Sequence, residues 1–190
     1  MVLSDTELFL VFFQHFGLSA RPIAATTKIA LLFCISIGVV LGSESLEYKI
    51  KAAYLYNFTK FISWPEKNTT TFNICIVGDD PFKGLLNSLE TKTALGKPIR
   101  VFRYSDVKQA TGCHIIYFDT SSVPANTLVS GSLSVSSQPL FAESGGMIGF
   151  VLENEKVKLH INLNALRKNG LGVSAKLIEV ATLVEGDEHE

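Results

Sequence analysis

Charge is scarce in this chain: 17 Lys or Arg and 18 Asp or Glu among 190 residues leave a formal net charge of −1. No basic surface broad enough to grip a nucleic-acid backbone follows from that balance, so nucleic acid is not an expected partner. Long apolar runs are also missing. The most continuous, Ile29 to Leu41 ("IALLFCISIGVVL"), has thirteen uncharged residues, short of the roughly 20 that a helix needs to cross about 30 Å of hydrocarbon. Cysteine is sparse, with three in all.

Catalytic signatures are missing too. His114 and His160 have no second histidine at ligand spacing, so no metal site is expected and both read as ordinary strand residues with satisfied ring nitrogens. "SGGMIG", Ser144 to Gly149, lacks the Lys-Ser/Thr pair of a phosphate loop and precedes a strand pattern, so close backbone packing or a bulge is the better reading. There is no Gly-x-Ser-x-Gly elbow. With no catalytic residue, metal or cofactor indicated, the chain does not read as an enzyme.

What is present begins with a leader. The run from Ile29 follows Arg21 and Lys28 and precedes the small residues Gly42, Ser43 and Ser45, which is the layout of a signal peptide cut after Gly42. An earlier patch, "LFLVFFQHFGL", makes this leader long; either translation starts further along, near residue 28, or the signal is an extended one. Cys34 is not a lipidation site, because bulky Phe33 precedes it. The organisation read from the chain is therefore residues 1–42 removed on export, 43–184 as a single domain, and 185–190 as a disordered acidic tail. After removal only Cys75 and Cys113 remain, and an even count in an exported protein points to a disulfide, with two buried free thiols as the alternative.

The most distinctive stretch is "KAAYLYNFTKFISWP", Lys51 to Pro65. Across Tyr48 to Ile62, residues Ile50, Ala53, Tyr54, Asn57, Phe58 and Phe61 recur at helical spacing and form the expected sheet-facing stripe. Pro65 ends the helix. Leu55, Tyr56 and Trp64 fall outside the stripe, which makes them candidates for a dimer or partner contact.

Beyond it, Thr71 to Gly78 reads as a buried strand and Asp80-Pro81 as the start of a helix from Phe82 to Glu90. Strands are expected at Ile99 to Tyr104, at Cys113 to Asp119 and at Ser132 to Val135, with a helical turn at Asn126 to Val129. Alternation on both sides of Glu153 to Lys156 marks a hairpin. A helix capped by Asn162 or Asn164 and stopped at Asn169-Gly170 follows, then a last helix from Ser174 to Leu183. The order predicts an α/β three-layer sandwich, a mostly parallel or mixed central sheet flanked by helices, with a C-terminal β-hairpin and helices. Asp79, Asp80 and Phe82 follow a strand end, where open α/β sheets bind ligands, and are the candidates for a ligand crevice; turn formation and helix capping are the plainer roles for the two carboxylates.

Taken in order, "YKIKAAYLYNFTKFISWP", "NICIVGDDPFKGLLNSLETKTALGKPIRV", "GCHIIYF" and "FAESGGMIGFVLENEKVKLHINLNALRKNGLGVSAKLIEVA" resemble the YfiR family of exported bacterial proteins. The resemblance runs from about Tyr48 to Ala181. It implies a periplasmic α/β sandwich, usually dimeric, that is not inserted in the membrane once its leader is gone. It also implies a regulator that restrains an inner-membrane diguanylate cyclase, or another membrane signalling protein, by binding its periplasmic region, with cyclic di-GMP and biofilm formation as the output. Cys75 and Cys113 match positions that pair in the family, whereas a second pair found there has no counterpart around Ser144 and the following hairpin. The resemblance therefore implies a structural bridge and leaves redox switching of the same kind without its second pair. A small-ligand sensor or carrier using the crevice is the alternative reading.

Overall fold

"FNICIVG" alternates its large side chains, and the alternation builds two cores. Phe72, Ile74 and Ile76 face one side of the sheet and Cys75 and Val77 the other, all buried. The computed structural model describes residues 46–120 and 129–186. A helix, α1 (46–61), leads into β1 (Ile62–Ser63), β2 (Phe72–Gly78), a 3-10 helix (Lys83–Thr91), β3 (Thr93–Ala94) and β4 (Lys97–Tyr104). A 3-10 turn (Val107–Gln109), β5 (Ile115–Asp119), β6 (Leu133–Ser136), β7 (Ile148–Glu153) and β8 (Lys156–Asn162) follow. The chain then forms α2 (Leu163–Lys168), β9 (Gly172–Val173), α3 (Ala175–Ile178) and β10 (Thr182–Val184).

Eight strands make one open mixed sheet in the order β10-β8-β7-β6-β5-β2-β4-β3, and the fold is α/β with helices flanking that sheet. Its centre, β6-β5-β2-β4, is parallel, as continuous apolar runs require. The β7–β8 hairpin is antiparallel, with Asn154 and Glu155 both at positive φ in its two-residue turn. The larger core lies on one face, where α1, the Lys83–Thr91 helix, α2 and α3 bury Leu55, Phe58, Leu86, Leu89, Leu166 and Leu177 against the sheet. The other face carries the smaller cluster, in which Ala110 and Phe141 cover Cys75, Val77, Cys113, Ile116 and Phe118.

The expected strands, hairpin and capped helix are all present, with Asn162 Oδ1 accepting the Ala165 N–H at 2.9 Å and Gly170 at φ +73 ending α2. Three elements differ from the expectation. The segment after Pro81 is a 3-10 helix: its three-residue period aligns Leu86 with Leu89 on one edge, and the Ser88 and Thr91 hydroxyls bond carbonyls three residues back. The last helix is a single turn, Ala175–Ile178, after which Thr182–Val184 adds a parallel edge strand to β8. The β-branched residues Thr182 and Val184 suit that edge, and its backbone groups meet those of β8. Third, Ile62–Ser63 leaves the helix to pair with Gly172–Val173, a two-residue contact between distant segments that no local pattern signals. The expected leader (1–42), together with residues 43–45, most of the expected Asn126 to Val129 turn and residues 187–190 of the expected acidic tail, lies outside the described residues.

Candidate functional site

The apolar surface of α1 extends beyond one stripe, and the fold selects a different stripe from the one with most aromatics. Lys51, Ala52, Leu55, Phe58, Thr59 and Ile62 are the buried positions, whereas Ala53 is exposed and Ile50, Tyr54 and Phe61 are half-buried at the core's margin. The inward face is thus turned by about one residue, or about 100°. Aliphatic Leu55 and Ile62 enter the core, while the tyrosines, each with a polar tip, stay partly buried at its rim. Leu55, expected as a contact residue, is fully buried and belongs to the core. Lys51 is buried too: its ammonium pairs with Glu47 and lies 4.7 Å from the Tyr48 ring centre.

The rotation gives Tyr56 a different setting. With Lys49, Ala52, Ala53, Asn57, Leu85, Ser88, Leu89 and Lys92 it lines an open groove of about 330 Å³ between α1 and the Lys83–Thr91 helix. Lys60 lies 4.4 Å and Lys92 5.2 Å from the centre of its ring. Trp64 is elsewhere. It lies beyond the end of α1, half-buried and edge-on to Phe72 at 5.4 Å, so the structure does not bring it together with Tyr56. The lysines of this groove were missed in the sequence reading although a signal exists. Lys49, Ala53, Tyr56 and Lys60 recur at i, i+4, i+7 and i+11, one helical face of mixed character.

At the C-terminal ends of the central strands the crevice candidates separate. Asp80 caps the chain turn, Oδ1 accepting the N–H groups of Phe82 at 2.9 Å and Lys83 at 3.1 Å, while Oδ2 pairs with Arg103 Nε at 2.6 Å. Phe82 does not line a crevice. It is fully buried, edge-on to Tyr117 at 4.8 Å and to Tyr48 at 5.6 Å, because a phenyl ring at this turn fills the space between α1 and the sheet. Gly78, at φ +98, lets β2 meet β5 closely; a Cβ there would lie 2.5 Å from the Asp119 carbonyl oxygen. Asp79 is exposed beside Asp119, whose carboxyl is raised above the usual range by burial and then by the Asp79 charge. Among the described residues, no three His, Cys, Asp or Glu side chains are placed to hold a metal ion.

The opposite ends of the strands hold a basic, aromatic cluster. The His114 ring is buried and stacks on Phe72 at 4.3 Å, its Nδ1 accepting the Asn73 backbone N–H at 3.0 Å. Lys67 Nζ donates to the Cys113 carbonyl and, at 2.9 Å, to Ser132 Oγ, and its own pKa is lowered by burial. Burial first, then the Lys67 and Lys97 charges, bring the His114 pKa down to about 4. A histidine whose pKa falls on folding makes the unfolded chain the better proton binder between its ordinary 6.5 and 4. Stability is thus whole above pH 6.5 and falls as the pH drops through that window. Asp119, with its raised pKa, acts in the opposite sense at the acid end. Thermal melts should show a falling Tm over this range, flattened in His114→Gln.

Cys75 on β2 and Cys113 before β5 are joined by a disulfide, with Cα atoms 6.0 Å apart and both residues buried in the smaller core. A YfiR/HmsC-like family model matches residues 48–182, which takes in α1 from Tyr48 onward, both helix-lined faces of the groove, the disulfide and the sheet as far as Thr182. The chain belongs to the YfiR/HmsC-like family. No curated protein matches it. The YfiR/HmsC-like family is regulatory and periplasmic, and acts in diguanylate cyclase signalling. Among the described residues of this YfiR/HmsC-like chain, no helix is long and apolar enough to cross a membrane.

Proposed function

We propose that this YfiR/HmsC-like protein is exported by a signal peptide spanning residues 1–42 and restrains a membrane-bound signalling protein, such as a diguanylate cyclase, by binding its periplasmic region. The family match across residues 48–182 carries the reading. It is supported by the half-exposed Tyr56 ring in an open groove, since aromatic anchors dominate the energetics of protein contacts. The protein works as a homodimer, and a mass that stays monomeric at every concentration in light scattering would count against that. The alternative, a ligand crevice at Asp79, Asp80 and Phe82, draws less support: Asp80 is engaged by two N–H groups and Arg103, and Phe82 lies in the core.

Deleting the gene in a cell that holds the cognate cyclase should raise cyclic di-GMP and biofilm formation, and restoring it should reverse both. Unchanged cyclic di-GMP in that cell would remove the repressor reading. Affinity capture from membranes with the tagged protein would then name the partner.

A further inference from the structure

The groove between α1 and the Lys83–Thr91 helix joins an apolar floor to a cationic rim. Ala52, Ala53, Leu85 and Leu89 line it, and the small side chains of the two alanines leave room for a close approach. Lys49 and Lys92 stand at its margin and Lys60 lies on the Tyr56 ring; all three are exposed. None of them pairs with a carboxylate among the described residues, whose ion pairs all lie elsewhere. Each flanking helix has a single carboxylate, and both are engaged: Glu47 holds Lys51, and Glu90 Oε1 accepts the Val101 N–H at 3.1 Å. A hydrogen bond leaves the Glu90 charge in place, but the three lysines outnumber it, so the rim of the groove is net positive.

Spacing discriminates between occupants. Lys49 and Lys60 are eleven residues apart on α1, about 16 Å along its axis at 1.5 Å per residue. A single carboxylate headgroup satisfies one of them at most. An occupant that answers all three lysines carries its negative charges along about three helical turns and presents a continuous apolar edge between them.

We propose that the groove receives an acidic amphipathic helix of a partner protein, its apolar edge on Ala52, Ala53, Leu85 and Leu89 and its flanking carboxylates on Lys49, Lys60 and Lys92. This deepens the regulatory reading and rests on it in placing that helix in the periplasmic region of the membrane partner. Tyr56, with the Lys60 and Lys92 ammonium groups 4.4 Å and 5.2 Å from its ring centre, forms the wall against which the helix packs.

The test uses the purified protein and a fluorescent amphipathic peptide of about five turns, with leucines on one edge and glutamates on both flanks. Anisotropy should show saturable binding that weakens at about 0.5 M salt and falls at least about tenfold in Lys49→Glu/Lys92→Glu. A lysine-flanked version of the peptide should prefer that reversed protein. Unchanged circular dichroism and Tm would show that the variant is folded, as expected for two exposed side chains.

Equal binding of a glutamine-flanked peptide would overturn the proposal, as would no binding of the glutamate-flanked one. Binding of decanoate at this groove without peptide binding would assign it to a small amphiphile. A concentration-dependent dimer dissolved by Ala53→Trp would assign it to a second copy of the chain. Each of those two results also overturns it. If wild-type and reversed proteins capture the membrane partner equally, the regulatory reading stands and the groove assignment falls. If the peptide behaves as expected while deletion leaves cyclic di-GMP unchanged, the groove assignment stands and the cyclase reading falls.

Discussion

Reducing the Cys75–Cys113 bridge is expected to lower the unfolding free energy by about 4 kcal/mol, the chain entropy that the unfolded state regains when a loop of roughly this length opens, given a sequence separation of 38 residues. The bond ties β2, at the centre of the sheet, to the segment that enters β5, so the loop it closes contains the 3-10 helix, β3 and β4. Without it, the unfolded chain regains the freedom of that entire crossover. The double variant Cys75→Ala/Cys113→Ala should lose somewhat more than reduction does, because both sulfurs are buried and their removal leaves space beside Val77, Ile116 and Phe118. Urea denaturation with and without reductant measures the first effect, and the variant measures the sum. A midpoint unmoved by reductant, with both thiols shown free, would contradict the prediction. Since the bridge is enclosed by Ala110 and Phe141, reduction should be slow in the folded protein and fast after partial unfolding.

The second large effect is on α1. Phe58→Ala should cost about 3 to 5 kcal/mol, the range for removing a buried aromatic ring. Phe58 is fully buried, stacked near Phe150 at 6.1 Å and Tyr54 at 6.2 Å, so its loss empties the contact between the helix and β7. Leu55→Ala should fall in the range of about 2 to 5 kcal/mol for the same reason. Tyr56→Ala is the contrast: its ring lines an open groove and is only partly buried, so its removal should cost clearly less stability than Phe58→Ala while weakening association with a partner. Chemical denaturation of the three variants beside a binding measurement separates the roles. If Tyr56→Ala destabilises as much as Phe58→Ala, the outer face of α1 is structural after all.

The contrast between Leu55 and Tyr56 shows where reading a one-dimensional pattern reaches its end. Both fall outside the stripe chosen by counting apolar positions, and both follow from a helix that is apolar around more than one face. Such a pattern does not specify an azimuth. The sheet does, since its ridge of Phe72, Ile74, Tyr117 and Phe150 accepts Leu55 and Phe58 into the core and leaves Tyr56 partly buried at its margin. Phe82 makes the same point at the turn after β2. Its position after a strand end marks a place where ligands bind in open sheets, but the space under α1 is filled by the ring itself.

The sequence by itself determined the elements whose information is local. Continuous apolar runs at Phe72 and Ile115, the alternation at Ile148, the turn at Asn154-Glu155, and the caps at Asn162 and Gly170 each encode their structure within a few residues. The motif order was enough for the family and for the pairing of Cys75 with Cys113. Contacts between distant segments settled the rotation of α1, the edge strand at Thr182–Val184 where a helix was expected as far as Leu183, the engagement of Asp80 by Arg103, and the gathering of Lys49, Lys60 and Lys92 around Tyr56. The physical reason is common to all four. Each outcome is set by what a distant segment offers, whether a packing ridge, an unpaired strand edge or a charge, and such offers exist only once the chain has closed on itself.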